Sequence, residues 1–387
     1  MPYGNKWTVK SQQIFLKIAY LMQMDNIDKK LLDIIQSRFP LSSEPYQDIA
    51  SLLDVIEDNV ITRLKKLKDE GIIRRMGAIF DSKQMGYSST LCAIKVPSQR
   101  VDEVAQIVND YPSVTHNYLR EDEYNMWFTI TARSQSAIDN IISEIKEKSG
   151  IQNLINLPAV RTFKIEVKFS MLDESIGNSV SRDHNKIPYK TQNSIFSKSL
   201  ISCHSRENGN PENMDQLDSS LRWNDTIDSE EIPLTGQEQN IIRGIQEDIP
   251  LRHSPFKSVA NRLGIDEYEL LSKVKELKDQ GIIRRFGAIL RHKKVGIGAN
   301  AMGVWCVPEE KIEESGAIMA TFPQVSHCYQ RVTRPGWNYN VYTMIHGKTV
   351  EDCEQTAKAI SQSTSITDYR LLYSVRELKK ISMRYFT

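Results

Sequence analysis

The pentapeptide Gly-Ile-Ile-Arg-Arg stands twice in this 387-residue chain, at 71–75 and at 281–285. Each copy runs on through one hydrophobic residue into Gly-Ala-Ile. The flanking residues keep step without a gap, Pro45 with Pro255, Ala50 with Ala260, Leu53 with Leu263 and Leu67 with Leu277. Solenoid repeats recur about every 20 to 50 residues, so a far longer period marks whole domains used twice. Any fold proposed for this chain must therefore be one that can be built twice and whose copies can meet. A later pair of histidines, His116 and His327, falls almost in phase with the repeat.

Within the first copy, apolar residues at Leu31, Leu32, Ile34 and Ile35 predict a helix over 28–36, and a second is expected over 46–53. A third carries Val60, Ile61, Leu64 and Leu67 at helical spacing, and Gly71 stops it, as glycine does past a C-terminus. Strand character follows over 72–80 and again from Tyr87, so the unit reads as three helices with a two-stranded wing, a winged helix-turn-helix.

The next segment predicts a strand at 90–96, a helix at 101–111, strands at 115–120 and 124–132, a helix at 136–148 and a closing strand within 160–169. That βαββαβ order is the ferredoxin-like plan, an antiparallel sheet with two helices on one face. The second copy repeats it, with helices from 235 to 279, a wing at 282–296, strands at 301–307, 326–331 and 339–346, helices at 309–322 and 350–362, and a closing strand near 371–376. The predicted class is α+β, two tandem repeats of a winged helix-turn-helix followed by a ferredoxin-like domain. The expected segments are an N-terminal helical extension (1–24), winged helix-turn-helix 1 (25–86), α/β domain 1 (87–171), a linker (172–234), winged helix-turn-helix 2 (235–298) and α/β domain 2 (299–387).

The linker is rich in Ser, Asn and Asp, is acidic in its second part, and has too few periodic apolar residues to bury a core, so a flexible connection is expected. The first 24 residues are apolar at Ile14, Phe15, Leu16, Ile18 and Leu21 but are broken by Lys6, Lys10 and Lys17. That stretch is too short and too polar to span a bilayer, and an amphipathic helix packed on the body is expected instead of a membrane anchor. Five cysteines without CxxC spacing argue against a disulfide framework and a zinc site, and point to a reducing cytoplasm.

Fifty Lys and Arg against 49 Asp and Glu leave a net charge of +1, so no overall field draws the chain to nucleic acid. The helices that would read DNA open on Ile56-Glu57-Asp58-Asn59 and on Ile265-Asp266-Glu267-Tyr268-Glu269, acids that would meet phosphates but that suit a helix N-terminus. DNA is therefore not expected as a partner.

The residues that point to chemistry lie in the α/β domains. The first copy reads Thr115-His116-Asn117-Tyr118-Leu119-Arg120, then Tyr124-Asn125-Met126-Trp127; the second reads Ser326-His327-Cys328-Tyr329-Gln330-Arg331, then Tyr339-Asn340-Val341-Tyr342. Strand side chains alternate, so His116, Tyr118 and Arg120 share one face, as do His327, Tyr329 and Arg331. With Arg74, Arg75, Arg284 and Arg285, and with the aromatic residues Tyr124, Trp127, Trp337, Tyr339 and Tyr342, the set suits a large flat polyanion. Arginines clamp carboxylates while aromatic rings stack on a macrocycle.

The succession of winged helix and βαββαβ module resembles the leucine-responsive/AsnC regulators, in which the second module dimerises and binds effectors. A closer resemblance is carried by His327-Cys-Tyr-Gln-Arg331, by Trp337-Asn-Tyr-Asn-Val-Tyr-Thr-Met-Ile-His-Gly347, by Tyr373-Ser-Val-Arg-Glu-Leu-Lys-Lys380 and by Arg384-Tyr-Phe386. These look like the B-type subunit of siroheme (sirohaem) decarboxylase. Thr115-His-Asn-Tyr-Leu-Arg120, Tyr124-Asn-Met-Trp-Phe-Thr129 and Leu157-Pro158 leading to Phe163-Lys-Ile165 look like its A-type partner. The chain resembles the two fused.

That resemblance implies an Lrp/AsnC-like carboxy-lyase that takes two acetate carboxyl groups from siroheme, giving 12,18-didecarboxysiroheme and CO₂ for heme or heme d1 synthesis. It implies no cofactor beyond the iron-containing substrate, no metal held by the protein alone, and halves that pair within the chain or in a homodimer. Loss of CO₂ from a pyrrole-attached acetate needs a positioned acid, for which His116 and His327 are the candidates; either could instead ligate the siroheme iron. His346 is a weaker candidate for both roles. Arg74, Arg75, Arg284, Arg285, Tyr118, Arg120, Tyr329, Arg331, Arg334, Trp337 and Tyr339 would bind and orient the substrate. Where the second copy inserts Arg334, Pro335 and Trp337, the first has Glu121-Asp122-Glu123, so two unequal pockets are expected. A heme or siroheme sensor with bound heme, or an Lrp/AsnC-type regulator, is the alternative.

Overall fold

The computed structural model of the chain describes residues 24–165, 233–291 and 298–387. The expected N-terminal helix, nearly all of the linker and residues 292–297, most of them in the expected second wing, lie outside the described residues.

Each copy opens with three helices: α1 (Asn26–Ser37), α2 (Pro45–Leu53) and α3 (Glu57–Asp69), and later α6 (Gly236–Ile245), α7 (Pro255–Leu263) and α8 (Glu267–Asp279). Local chemistry sets their ends. Asp25 and Thr235 cap α1 and α6 by accepting backbone N–H bonds, and Pro45 and Pro255 stand at the first turn, where a missing N–H costs nothing. Gly71 and Gly281 take φ of 70° and 78° just past α3 and α8, the left-handed stop expected of them. The apolar faces of all six helices meet in one core that includes Leu31, Ile35, Leu64, Ile242, Phe256 and Leu277.

The strands that follow do not form the expected two-stranded wings. β1 (Ile73–Phe80) pairs antiparallel with β6 (Ile283–Leu290) of the other copy, and β2 (Ser88–Ile94) leaves for the α/β sheet. Gly77 and Gly287 stand opposite each other at the centre of the β1–β6 ribbon. Two opposed glycines let a helix end come down on each side of it. A Cβ on Gly77 would lie 2.7 Å from the Glu247 carbonyl at the end of α6, and one on Gly287, whose φ is 154°, would strike the Ile35 carbonyl of α1. The repeated Gly-Ala-Ile thus fits a seam between copies that a hairpin inside each copy would have left unmade.

The α/β modules keep the predicted order: β2, α4 (Val101–Asn109), β3 (Val114–Arg120), β4 (Met126–Ala132), α5 (Gln135–Ser149) and β5 (Leu154–Ile165), then β7 (Ala299–Trp305), α9 (Ile312–Thr321), β8 (Val325–Arg331), β9 (Val341–Gly347), α10 (Val350–Thr364) and β10 (Tyr369–Lys380). β5 starts six residues before the expected 160–169, of which 166–169 lie outside the described residues, and β10 runs four residues beyond the expected 371–376; the later part of each strand joins the copies. The first part of β5 pairs with β2 and its second part with β8; β10 pairs first with β7 and then with β3. The eight strands close in the order β10-β3-β4-β2-β5-β8-β9-β7. Helices α4 and α5 cover the outer face of one half of this barrel, and α9 and α10 the other. The halves therefore pair within the chain. Asn125 and Asn340, the repeated Tyr-Asn asparagines, each bond both N–H and C=O of a strand-end valine, Val96 and Val307, fixing where β2 and β7 stop.

Candidate functional site

Register decides which side chains enter the barrel. Tyr118 stands opposite Trp127 and His116 opposite Thr129 on the β3–β4 pair; Tyr329 stands opposite Tyr342 and His327 opposite Met344 on β8–β9. Trp127, Tyr342 and Met344 belong to the inner cluster with Ala93, Leu157, Val304 and Leu372, so both His-x-Tyr-x-Arg faces point inward and share one interior. The alternation expected from the sequence holds, and barrel closure brings the two faces together.

Arg120 is 4% exposed and Arg331 is half-buried. Arg331 donates from Nη1 to the Leu157 carbonyl at 2.7 Å, and Arg120 does the same to the Leu372 carbonyl at 2.7 Å, so each reaches across to the closing strand of the other half. Each Nε is buried without a hydrogen-bond partner, and among the described residues neither guanidinium is ion-paired. Their nearest compensation is aromatic: Arg331 lies 4.9 Å from the centre of the Tyr329 ring and Arg120 5.5 Å from that of Tyr118. Burial lowers both pKa values, Arg120 to about 10; a guanidinium keeps its charge at neutral pH. Two unpaired buried cations in one enclosure are costly without an anion.

His116 and His327 stand four residues before these arginines on the same strands. Burial first, then the Lys380 and Arg74 charges, push His116 from the ordinary 6.5 down to about 4. His327 also falls to about 4, through burial and then through His346, His116, Arg284 and Arg331. His346 falls to about 4 through burial and Lys380. All three are neutral imidazoles at pH 7. The His116 ring stacks on Tyr118 with centres 6.4 Å apart, and His327 on Tyr329 at 6.0 Å.

The doubled Arg-Arg divides. The β1–β6 register shifts at Arg74 and at Arg284, and the two arginines of each pair find different partners. Arg74 donates to the Lys380 carbonyl at 3.1 Å and acts on Tyr118 and His116; Arg284 bonds Asp81 at 2.9 Å and acts on Tyr329 and His327. Arg75 instead donates to the Gln246 and Ala78 carbonyls, and Arg285 to Gln36 and Ala288, clasping the ends of α6 and α1. Arg75 and Arg285 thus bond the seam.

Arg334, Trp337 and Tyr339 come together at the end of the barrel away from the histidines. Trp337 is 4% exposed, donates to the Tyr342 hydroxyl at 2.7 Å, and packs 5.4 Å from Trp127 and 5.5 Å from Tyr124 of the other half. Arg334 donates from Nε to the Asn156 carbonyl at 2.8 Å. The aromatic residues pack chiefly on one another and close that end. The acidic triplet lies at the same end, where Glu123 pairs with Lys95 and Asp122 with Arg370.

Sequence reasoning missed the residues that cross between copies. Lys380 stands opposite His116 and Glu377 opposite Tyr118 on the β10–β3 pair, whereas the corresponding places beside β8 are held by Ile165 and Thr162. Ser326, next to His327, also went unassigned; its hydroxyl lies 2.8 Å from His327 Nδ1 and 2.7 Å from His346 Nε2. A cavity of about 620 Å³ adjoins Arg74 and Arg75 and is lined also by Arg133, Arg384 and the last residues of the chain. No helix among the described residues is long and apolar enough to cross a membrane, and none of their His, Cys, Asp and Glu side chains group to hold a metal ion.

Comparison with known proteins agrees with this plan. The model of the siroheme decarboxylase NirDL-like HTH domain matches residues 28–74 and 238–284, and that of the AsnC-like ligand binding domain matches 84–164 and 294–379. A siroheme decarboxylase of Hydrogenobacter thermophilus is 35% identical over 365 residues, 94% of this chain and 96% of the relative. A siroheme decarboxylase NirDL subunit of Paracoccus pantotrophus is 31% identical over 360 residues, 92% of this chain and 96% of the relative. Among solved structures, the siroheme decarboxylase NirDL in co-complex with an iron-uroporphyrin III analogue superposes with a TM-score of 0.64 at 31% identity, covering 94% of this chain and 95% of that one.

Proposed function

The chain belongs to the siroheme decarboxylase family, in its fused two-half form, and we propose that it is a carboxy-lyase converting siroheme to 12,18-didecarboxysiroheme with release of two CO₂. The observation that carries this reading is the pair of buried guanidiniums, Arg120 and Arg331, inside one barrel with His116 and His327 above them. Siroheme is a flat, iron-bearing ring edged with carboxylates. Its charges supply what the arginines lack, and its size calls for an enclosure built from both halves.

In this reading Arg120, Arg331, Arg74 and Arg284 hold carboxylates and fix the ring, while Tyr118 and Tyr329 bound the space between arginine and histidine. Cleavage of the bond between methylene carbon and carboxylate leaves an electron pair that the macrocycle delocalises until a proton arrives. His116 and His327 are placed to serve there, either as N–H donors to the methylene carbon or as ligands of the substrate iron; both roles use the neutral imidazole. Enclosure strengthens each interaction and keeps bulk water from the carbanion. The siroheme iron is part of the substrate, and the proposal requires no further cofactor.

The regulator reading finds less support. Glu57 and Asp58, at the start of the first of the two helices that would read DNA, are bridged by His253 of the other copy, and the would-be wings are used up in the β1–β6 seam. The test is anaerobic incubation of the purified chain with siroheme. CO₂ release and a tetrapyrrole lighter by two carboxyl groups are expected; an unchanged substrate mass beside a tetrapyrrole absorption band would instead make the chain a sensor.

A further inference from the structure

The two half-sites differ behind their histidines. In the second half the Ser326 hydroxyl stands between two imidazoles, 2.8 Å from His327 Nδ1 and 2.7 Å from His346 Nε2. In the first half His116 Nδ1 meets the Thr115 hydroxyl at 2.9 Å, but the place of His346 is taken by Thr131, whose own hydroxyl turns to Ser89 at 3.2 Å. The equivalence is fixed by register, since Val114 pairs with Ile130 as Val325 pairs with Ile345.

A hydroxyl has one proton to give. Between two ring nitrogens it donates to one and accepts from the other, so the chain of bonds has a direction. The remaining carbonyl near Ser326, that of Met344, lies at 3.5 Å and competes weakly. His346 lies within reach of the Lys380 charge, and its backbone N–H is fixed to the Gln324 carbonyl at 2.9 Å.

We propose that His346, Ser326 and His327 form a proton relay that recharges the second half-site, with His327 touching the substrate and Ser326 and His346 acting through it as positioning residues. The proposal rests on the decarboxylase reading. The carbon–carboxylate bond breaks, CO₂ leaves, and the electron pair stays on the methylene carbon. The carbon takes the proton from His327 Nε2, His327 Nδ1 takes the Ser326 proton, and the Ser326 oxygen takes the proton of His346 Nε2. His346 takes one proton from outside the cluster at Nδ1 as Nε2 gives up its own, so no imidazolate forms and both imidazoles end neutral with their tautomers switched. A neutral imidazole can thus act as the acid without first becoming imidazolium. The first half-site lacks the second histidine and has no equivalent path.

The experiment compares wild type with His346→Gln, Ser326→Ala, Ser326→Thr and the Ser326→Ala/His346→Gln pair, in single-turnover decarboxylation of siroheme and in siroheme absorbance titration. A drop of about 10²-fold in the single-turnover rate is expected for His346→Gln and for Ser326→Ala, within the range that proton transfer contributes, with substrate affinity retained. The pair should be no slower than either single change, as for residues acting as a unit. Ser326→Thr, which keeps a hydroxyl as Thr115 does, should recover most of the rate. The relay is overturned by a wild-type rate in His346→Gln, by multiplicative losses in the pair, or by Ser326→Thr as slow as Ser326→Ala. Loss of siroheme binding in His346→Gln also counts against it, since that would make His346 a structural support. An inactive wild type would instead overturn the decarboxylase reading itself.

Discussion

Arg331 on β8 donates to the Leu157 carbonyl on β5, across the seam between the two halves, at 2.7 Å; Arg120 repeats the bond on Leu372. A single bond per guanidinium, with Nε left buried and unpaired, is weak compensation for a desolvated cation. Replacing Arg331 with Met should therefore leave the unfolding midpoint unchanged or raise it, because an apolar side chain of similar length removes the desolvation cost. The same change should weaken siroheme binding by about 10- to 100-fold, the equivalent of one charged hydrogen bond of about 1.5–3 kcal/mol. Thermal unfolding and absorbance titration separate the two effects. A large fall in stability together with unchanged affinity would show that Arg331 is a structural strut.

Arg284 differs from Arg331 because it already holds a carboxylate, Asp81, at 2.9 Å. In Arg284→Ala that carboxylate is left facing Tyr329 and repels an anionic ring edge. Substrate retention should fall by about tenfold or more, and Asp81→Asn/Arg284→Ala should recover part of it, as coupled neighbours do. Equal affinity in the single and double variants would detach Asp81 from the site.

His116→Ala and His327→Ala should lower turnover more than binding, by about 10²-fold to 10⁴-fold if the imidazole is the acid. The rings stack on Tyr118 and Tyr329 and make little of the contact area that holds a macrocycle. Wild-type turnover in both variants would remove the acid role from the site, and a changed iron spectrum on binding would assign the altered histidine to the metal.

The inward faces were legible in the sequence because strand alternation is local: once β3 and β8 are strands, His116, Tyr118 and Arg120 must share a side. The fate of Arg75 was not legible in this way, because the register shift at Arg74 depends on pairing with β6. What could not be read was pairing between copies. The pattern of Ile73–Phe80 gives a strand, but its partner lies more than two hundred residues on, in another strand of the same pattern, and a hairpin fits the local signal as well. Lys380 and Glu377 escaped for that reason, because only the β10–β3 register places them beside His116 and Tyr118. Trp337 and Tyr339 suit stacking on a ligand, and aromatic side chains fill a barrel end equally well; here they pack on Tyr124, Trp127 and Tyr342.

Gly287 is the most sensitive point of that seam. Its φ of 154° disfavours any other residue, and an added Cβ would strike the Ile35 carbonyl, which belongs to a helix end held by Arg285. Backbone cannot move aside as a flexible side chain can. Gly287→Ala is expected to destabilise the chain by about 2 kcal/mol or more, combining overpacking with backbone strain. Gly77→Ala, which meets the Glu247 carbonyl at 2.7 Å, should cost less because only the close contact acts there. Urea unfolding of the two variants checks the order, and equal midpoints to wild type would mean that the helix ends do not press on the ribbon as described.

The three buried histidines set a pH dependence whose sign follows from their lowered pKa values. In the unfolded chain each takes up a proton near pH 6.5, whereas in the folded chain His116, His327 and His346 resist it until about 4. Their contribution to stability is therefore complete above about 6.5 and is lost progressively as the pH falls through that window. The unfolding midpoint of the wild type should fall more steeply between pH 7 and pH 4.5 than that of His116→Gln or His327→Gln, each of which removes one such group. A polycarboxylate in the barrel offsets part of that depression, because anions beside the imidazoles favour their protonated forms. The proposed roles need neutral rings, so siroheme binding at pH 7 to 8 should take up few protons, which calorimetry in buffers of different ionisation enthalpy measures directly. Uptake of one proton or more per siroheme would make the imidazoles charged in the complex, and parallel stability curves for wild type and the glutamine variants would mean that the histidines already titrate normally in the free protein.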